Sequence, residues 1–531
     1  MTLQTIDLVV VIGYAIGIFV LAQWVSRDKA GESKDSADYF LASKALPWWA
    51  VGASLIAANI SAEQIVGMAG SGYAIGLAIA SYEWMAGATL LIVGKFFLPI
   101  FLHNRIYTMP QFLEQRYGAS IRTIMAIFWL ALYIFVNLTS IIWLGSIAVN
   151  QVAGVDQNIA LVALGAFAVL YQLRGGLKAV ALTDIVQVTL LVLGGLMVSA
   201  LTLRAIGGDA GIVGGFGELT RRVPDHFDMI LSPDNPHYKE LPGLAVLVGG
   251  MWIANLSYWG FNQYIIQRAL AAKSLPEAQK GIVFAAFLKL LMPLVIVLPG
   301  IAAVVLAPDL AKPDQAYPAM LRLLPPGLLG LVFAALIAAI IASTASKINA
   351  IATIFTLDLY AKRLHRPTAA EDGATDPAAE RRLVLVGRIA ACVSIVIAML
   401  TARPLIGQSD QAFQFIQEFS GFFTPGITVI FLLGLFWKRA NEAGAIAAAV
   451  ASVVMSYVLR AALPDLPFLN RMSLVFAISL ALAVVLSLVV RSRADANRVT
   501  LEGVQFRTTT SFNVASLGIV LILIALYATW W

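Results

Sequence analysis

Long apolar runs separated by short polar connections dominate the chain, and each is close to the ~20 residues that carry an α-helix across a bilayer. The pattern predicts spans near 6–25, 46–71, 77–101, 122–149, 156–173 and 179–203. After a long polar segment they resume near 243–267, 281–307, 326–358, 383–402, 411–437, 443–461, 472–490 and 510–530. The expected class is an all-α membrane protein with fourteen transmembrane helices. A β-barrel would instead alternate in ~10-residue segments, far shorter than these runs.

Two places break the pattern. The stretch LIAANISAEQIVGMAGSGYAIGLAIASYEW, from Leu55 to Trp84, carries Asn59, Ser61, Glu63, Gln64, Tyr82 and Glu83 inside an apolar region. The stretch ANLSYWGFNQ, from Ala254 to Gln263, carries Asn255, Ser257, Tyr258, Asn262 and Gln263. Hydrocarbon offers no water to such groups, so each needs a partner inside the protein or a wet cavity. Both stretches therefore predict a helix interrupted within the membrane. Five spans separate them, and an odd number means that the second begins from the opposite face. Residues 46–204 and 243–437 then form two inverted five-helix repeats, a pattern that marks a secondary transporter with its site near the bilayer midplane. Residues 1–45 become an extra N-terminal helix with a cytoplasmic loop, 205–242 a structured external loop or lid, and 438–531 three C-terminal helices. Residues 362–382, rich in Ala, Pro and charge, read as a flexible cytoplasmic connection.

Composition agrees with the pattern: 60% of the 531 residues are hydrophobic and 12% charged, against about 25% charged in soluble chains. The first run lacks a basic leader and is long enough to span, so it is kept as a helix rather than a cleaved signal. The single cysteine, Cys392, allows no intrachain disulfide. The net charge of +6 requires no nucleic-acid partner, and its distribution matters more. Of the 36 Lys and Arg residues, 24 fall in one alternate set of loops. That set should be cytoplasmic, which places both termini outside. All four histidines lie in loops, and no buried cluster of His, Cys and carboxylates suggests a metal centre or an acid–base pair. Neither an enzyme nor an organic cofactor is expected.

The intramembrane polar groups define the candidate chemistry. Gln64 and Glu83 come from the first block, Asn255, Tyr258 and Lys289 from the second, and Gln417 from the eleventh span. Carboxylate, ammonium and carboxamides suit several hydroxyls on one ring, and Tyr258 offers a flat face for its apolar side. Glu83 and Lys289 neutralise one another, so a strongly charged solute is not favoured. The competing reading is ordinary interhelical hydrogen bonding, which averages only ~0.6 kcal/mol per contact. Two charged side chains at membrane depth argue against it. A coupling cation prefers oxygen. The carbonyls of Ala57 and Ile60 precede the first break, Ser343, Thr344 and Ser346 carry hydroxyls on the ninth span, and Asp184 lies on the sixth.

The stretches ANISAEQIVGMAGSGYAIGLAIASYEWM, RGGLKAVALTDIVQV, ANLSYWGFNQYIIQRALAAKS and FLLGLFWKRANEAGA resemble the sodium/solute symporter family, in particular its bacterial sodium/galactose branch. The resemblance runs from about residue 40 to the last span. It implies a LeuT-like core with one helix before it and three after, and alternating access that moves a hexose, galactose or glucose, together with Na⁺ across the cytoplasmic membrane. It implies sugar contacts at Gln64, Glu83, Asn255, Lys289 and Gln417, an inner gate at Tyr258 beside Trp259, and an outer gate at Met68, Tyr82 and Phe413. Asn59 would support the interrupted helix. Na⁺ would be held by the carbonyls of Ala57, Ile60 and Ala339 and the hydroxyl of Ser343, with Asp184 linked to the ion.

Three positions depart from the family pattern. Ala86 stands where a serine would touch the sugar, Ala342 where a second hydroxyl would bind Na⁺, and Lys347 where the family has an apolar residue. The expectation is that Thr344 or water completes the ion's shell and that Lys347 reaches the cytoplasmic vestibule; weakened Na⁺ binding is the alternative. The other functional readings are symport of another polyol or sugar acid such as myo-inositol, and an uncoupled sugar facilitator.

Overall fold

A computed structural model of the chain describes residues 3–25, 46–106, 108–174, 177–361, 377–490 and 499–531. The helices are α1 (Thr5–Val25), α2 (Trp48–Asn59), α3 (Glu63–Ala74), α4 (Leu77–His103), α5 (Ala119–Ala153), α6 (Gln157–Arg174) and α7 (Leu177–Gly207). After an external helix, α8 (Gly211–Arg222), follow α9 (Gly250–Phe261), α10 (Gln263–Leu270), α11 (Leu275–Leu306), α12 (Leu328–Tyr360) and α13 (Pro377–Ile406). The last five are α14 (Ala412–Ser420), α15 (Thr424–Phe436), α16 (Glu442–Ala462), α17 (Phe468–Val489) and α18 (Thr510–Thr529).

Each of the fourteen expected segments falls on a helix or on a broken group of helices. Among the described residues nine are long and apolar enough to cross a membrane, and eleven if each of two bent pairs counts as one span. Of the predicted flexible connection at 362–382, residues 362–376 lie outside the described residues, whereas 377–382 are not a flexible link but the first turns of α13.

Both predicted interruptions are present. α2 and α3 meet at 66°, and Ile60 between them is extended (φ −70°, ψ 116°). Ser61 then caps the new helix, its hydroxyl accepting from the Glu63 amide at 3.2 Å, which satisfies a donor that the break would orphan. The second interruption lies at Asn262, extended (φ −83°, ψ 122°) between α9 and α10. Its side-chain carbonyl accepts from the Tyr133 hydroxyl at 3.0 Å, and the Gln263 carbonyl accepts from the Met109 amide at 2.6 Å. Polar side chains in these runs thus serve the broken backbone as well as the cavity.

Residues 205–242 carry a helix and short turns. α8 packs against α7, and a short 3₁₀ turn (Pro224–Phe227) reaches the end of α3, where His226 Nε2 lies 3.1 Å from the Tyr73 carbonyl. Gly76 makes this approach possible: its φ of 94° suits glycine, and a Cβ there would lie 2.3 Å from the His226 carbonyl oxygen.

Two buried charges hold helix ends rather than ligands. Asp7 on α1, 1% exposed, accepts from the Gly327 and Gly330 amides at 2.7 and 2.9 Å and so caps the start of α12. Arg116 donates to the carbonyls of Gly434, Trp437 and Ala440, each at 2.9 Å, at the end of α15. α11 packs along both α2 and α4. Its Pro293 has no N–H to return to the Lys289 carbonyl four residues earlier, so the helix is loosened where it carries its buried lysine.

Candidate functional site

The six polar side chains singled out from sequence converge on one cavity. Gln64 on α3, Glu83 on α4, Asn255 and Tyr258 on α9, Lys289 on α11 and Gln417 on α14 all line it. At its centre lies a buried ion pair: Lys289 Nζ reaches Glu83 Oε2 at 2.6 Å, with the two side chains 1% and 4% exposed. Taking two charges out of water costs several kcal/mol per ion, so such a pair persists only where further hydrogen bonds satisfy it. Lys289 also donates to Asn59 Oδ1 and stands 4.9 Å from the Trp259 ring centroid.

From Asn59 the network continues to the inner side. Asn59 Nδ2 donates to the Tyr258 hydroxyl at 3.1 Å, and that hydroxyl lies 2.5 Å from the Tyr264 hydroxyl. Tyr258 is half-buried and packs edge-on against Trp259, ring centroids 5.2 Å apart. At another part of the cavity wall Met68, Tyr82 and Phe413 are all buried, and Tyr82 meets Phe413 edge-on at 5.2 Å. Tyr258, Trp259, Met68, Tyr82 and Phe413, the residues expected as gates, all line the same cavity as the polar groups. Asn255 turns its amide back to the Met251 carbonyl at 3.1 Å, and the Gln64 carbonyl accepts from Ser61 at 3.3 Å. Ala86 also lines the cavity, bringing a methyl group where a hydroxyl would add a donor and an acceptor.

A second, smaller pocket brings together Ala57, Ile60, Ala339 and Ser343, four of the five residues expected at the ion site. Asp184, the fifth, lies on α7, with its side chain outside the described residues. One of the two completions expected for the ion's shell, Thr344, fails here, as does the vestibule reading of Lys347. Thr344 does not line this pocket; its hydroxyl donates to the Ile340 carbonyl at 2.7 Å, the back-bond that helical threonines favour. Lys347 does not reach a vestibule. It is 5% exposed and its Nζ lies 3.5 Å from Glu63 Oε2. Ser346, by contrast, does border the pocket.

Glu63 is the residue that sequence reasoning noticed without giving it a role. It lines the larger cavity, and its Oε1 accepts from Ser140 at 2.5 Å and Asn137 at 3.3 Å, both on α5. The available signal was a carboxylate and a lysine at membrane depth, each without an obvious partner in sequence.

The larger cavity presents a carboxylate–ammonium pair, carboxamides and a phenol, and the smaller pocket presents the hydroxyls of Ser343 and Ser346. A model of the sodium:solute symporter family matches residues 39–451. The chain belongs to the sodium:solute symporter family. This multi-pass membrane symporter is a Na⁺-coupled solute transporter and not an enzyme. It is 48% identical to the sodium/glucose cotransporter of Vibrio parahaemolyticus, over 100% of this chain and 99% of that one. It is 34% identical to sodium/myo-inositol cotransporter 2 of Sus scrofa, over 86% of this chain and 70% of that one. In fold it is similar to a Na⁺-coupled sialic acid symporter solved in a substrate-bound outward-open state, with a TM-score of 0.75 and 22% identity over 92% of this chain and 98% of that one. The symporter's fold is accordingly all-helical and LeuT-like.

One carboxyl on the outer face is tied to the helix that carries Phe413 and Gln417. Asp314, 2% exposed, accepts from the Ala412 amide at 3.1 Å at the start of α14. Burial pushes its pKa up to about 7, against the opposing pull of that amide and of Lys312. A carboxyl raised in this way favours the fold while protonated, and the benefit is lost as pH rises through about 7. Moving the purified symporter from pH 6 to pH 8 is expected to lower its thermal midpoint, and Asp314→Asn to flatten that dependence. A midpoint falling equally in both proteins would show that another group titrates.

Proposed function

We propose that the protein is a Na⁺-driven symporter of a hexose, glucose or galactose, in a bacterial-type cytoplasmic membrane with both termini outside. The observation that carries this reading is the single cavity lined by Gln64, Glu83, Asn255, Tyr258, Lys289 and Gln417. With Glu83 and Lys289 neutralising one another, discrimination falls to hydrogen bonds. Each hydroxyl of a bound ring that loses its partner leaves a buried group unpaired, at a cost of ~1–3 kcal/mol. The name of the Vibrio relative supports a hexose over a polyol.

In this reading residues 46–204 and 243–437 are inverted repeats that rock around the cavity. Ala57, Ile60, Ala339 and Ser343 bind Na⁺ at the break between α2 and α3, so that ion binding stabilises the interrupted helix whose next turn carries Gln64. Met68, Tyr82 and Phe413 close over the sugar from outside. Release inward requires Tyr258 to leave Asn59 and Tyr264, and the two hydrogen bonds of its hydroxyl hold that gate until the helices move.

Uptake of radiolabelled glucose and galactose into proteoliposomes tests the proposal. Replacing external Na⁺ by choline is expected to cut the initial rate at least about tenfold, equivalent to ~1.4 kcal/mol or more of ion-linked driving interaction. Equal rates in the two salts would sink the coupling. A competition panel addresses the solute: myo-inositol displacing label as well as both hexoses do would favour the polyol reading that the mammalian relatives' names suggest.

A further inference from the structure

Lys347 follows Ser343 by four residues on α12, and that spacing places both on one helix face. Both border the ion pocket together with Ala57, Ile60 and Ala339. The Lys347 ammonium is buried, lies 5.4 Å from the Tyr264 ring centroid, and is 3.5 Å from Glu63 Oε2. Glu63, 7% exposed, is gripped from its other side by Ser140 and Asn137 and faces the larger cavity. A salt bridge thus spans the wall between the two cavities. Among the described residues, the pocket's other charged neighbour is Arg268, whose guanidinium donates to Ser54. Lys347 brings an ammonium to the pocket, and Glu63 is its counter-ion.

We propose that Lys347, anchored by Glu63, is a tethered cation that sets the Na⁺ affinity of this symporter. The ammonium and Na⁺ compete for the same local field. With Lys347 present, the charge of Glu63 is spent on the ammonium, and Na⁺ meets a pocket that also lacks the hydroxyl that Ala342 does not supply. Removing the ammonium releases the Glu63 charge towards the pocket and strengthens Na⁺ binding. Removing the Glu63 charge leaves the ammonium uncompensated and weakens it. The two neutralising substitutions push in opposite directions, whereas a purely structural salt bridge, broken from either side, would push both the same way.

Binding of radioactive sodium to the purified full-length protein, without sugar, reads this directly. Lys347→Met is expected to lower the Na⁺ Kd about tenfold and Glu63→Gln to raise it about tenfold, with the double variant within roughly threefold of wild type, since close charges at intermediate dielectric couple on this scale. Lys347→Arg, which keeps the charge, should stay within about threefold of wild type. The proposal is overturned if both single variants weaken binding, or if Lys347→Met stays within about twofold of wild type. Should Lys347→Met fail to fold, Lys347→Gln against the double variant gives the same comparison. The inference rests on reading this pocket as the Na⁺ site, and Ser343→Ala tests that separately. Unchanged Na⁺ binding in Ser343→Ala sinks the site assignment, whereas altered binding there with an unshifted Lys347→Met sinks only the role given to Lys347.

Discussion

Lys289→Ala is expected to abolish sugar uptake, reducing the initial rate by roughly 100-fold or more, because three interactions end at one atom. Its Nζ pairs with Glu83 at 2.6 Å, donates to Asn59 and faces the Trp259 ring. Without it the Glu83 carboxylate is left buried with no counter-ion, a loss of about 3–5 kcal/mol in measured buried pairs. Asn59 also loses the donor that orients it, and Asn59 is what holds the Tyr258 hydroxyl. The substitution therefore strikes sugar binding and the inner gate together. The double variant Glu83→Gln with Lys289→Met removes both charges and should recover much of the lost thermal stability while remaining inactive. Proteoliposome uptake and a melting curve on the same preparations separate these effects. Near-normal uptake by Lys289→Ala would refute the placement of the site.

Arg116→Met is expected to lower the yield of folded protein sharply, for a reason unrelated to either ligand. The guanidinium is 3% exposed and satisfies three carbonyls where α15 ends, at Gly434, Trp437 and Ala440. The Trp437 carbonyl keeps the Ala440 amide at 3.1 Å, but those of Gly434 and Ala440 lose their donor at ~1–3 kcal/mol each, together a large part of the about 5–15 kcal/mol by which proteins stay folded. Neighbouring Tyr117 adds a bond from its hydroxyl to the Ile430 carbonyl at 2.6 Å, and this alone cannot hold the helix end. Arg116→Lys supplies one point charge where the fork supplied several directed donors, and should rescue only part of the yield. Size-exclusion profiles of detergent extracts measure this; a monodisperse peak at wild-type height for Arg116→Met would show that water satisfies those carbonyls instead.

These two residues show what kind of information each level carries. Lys289 was legible as functional because a lysine within an apolar run conflicts with its surroundings, and that conflict is visible without knowing any partner. The same signal exposed Gln64, Glu83, Asn255 and Gln417, and all of them line one cavity. Arg116 gave no such signal, since an arginine between two spans reads as an ordinary loop charge. Asp7 sits near the start of the first span, where acidic residues commonly face water, yet it caps α12 more than 300 residues later.

Lys347 marks the boundary between the two levels. Its oddity was plain from the sequence, but the expectation that it reaches a vestibule failed because its partner, Glu63, is 284 residues away. Thr344 failed for a local reason, its hydroxyl being satisfied by its own helix.

By itself, then, the sequence determined the helical class, the location of the spans and the two places where a helix must break, because hydrophobic length and misplaced polarity are local properties. Which carboxylate meets which ammonium was decided only by the tertiary structure. Buried polar groups must be paired, but composition does not say with what; that follows from α3, α5 and α12 meeting at Glu63, and from α2, α4, α9 and α11 meeting at Lys289.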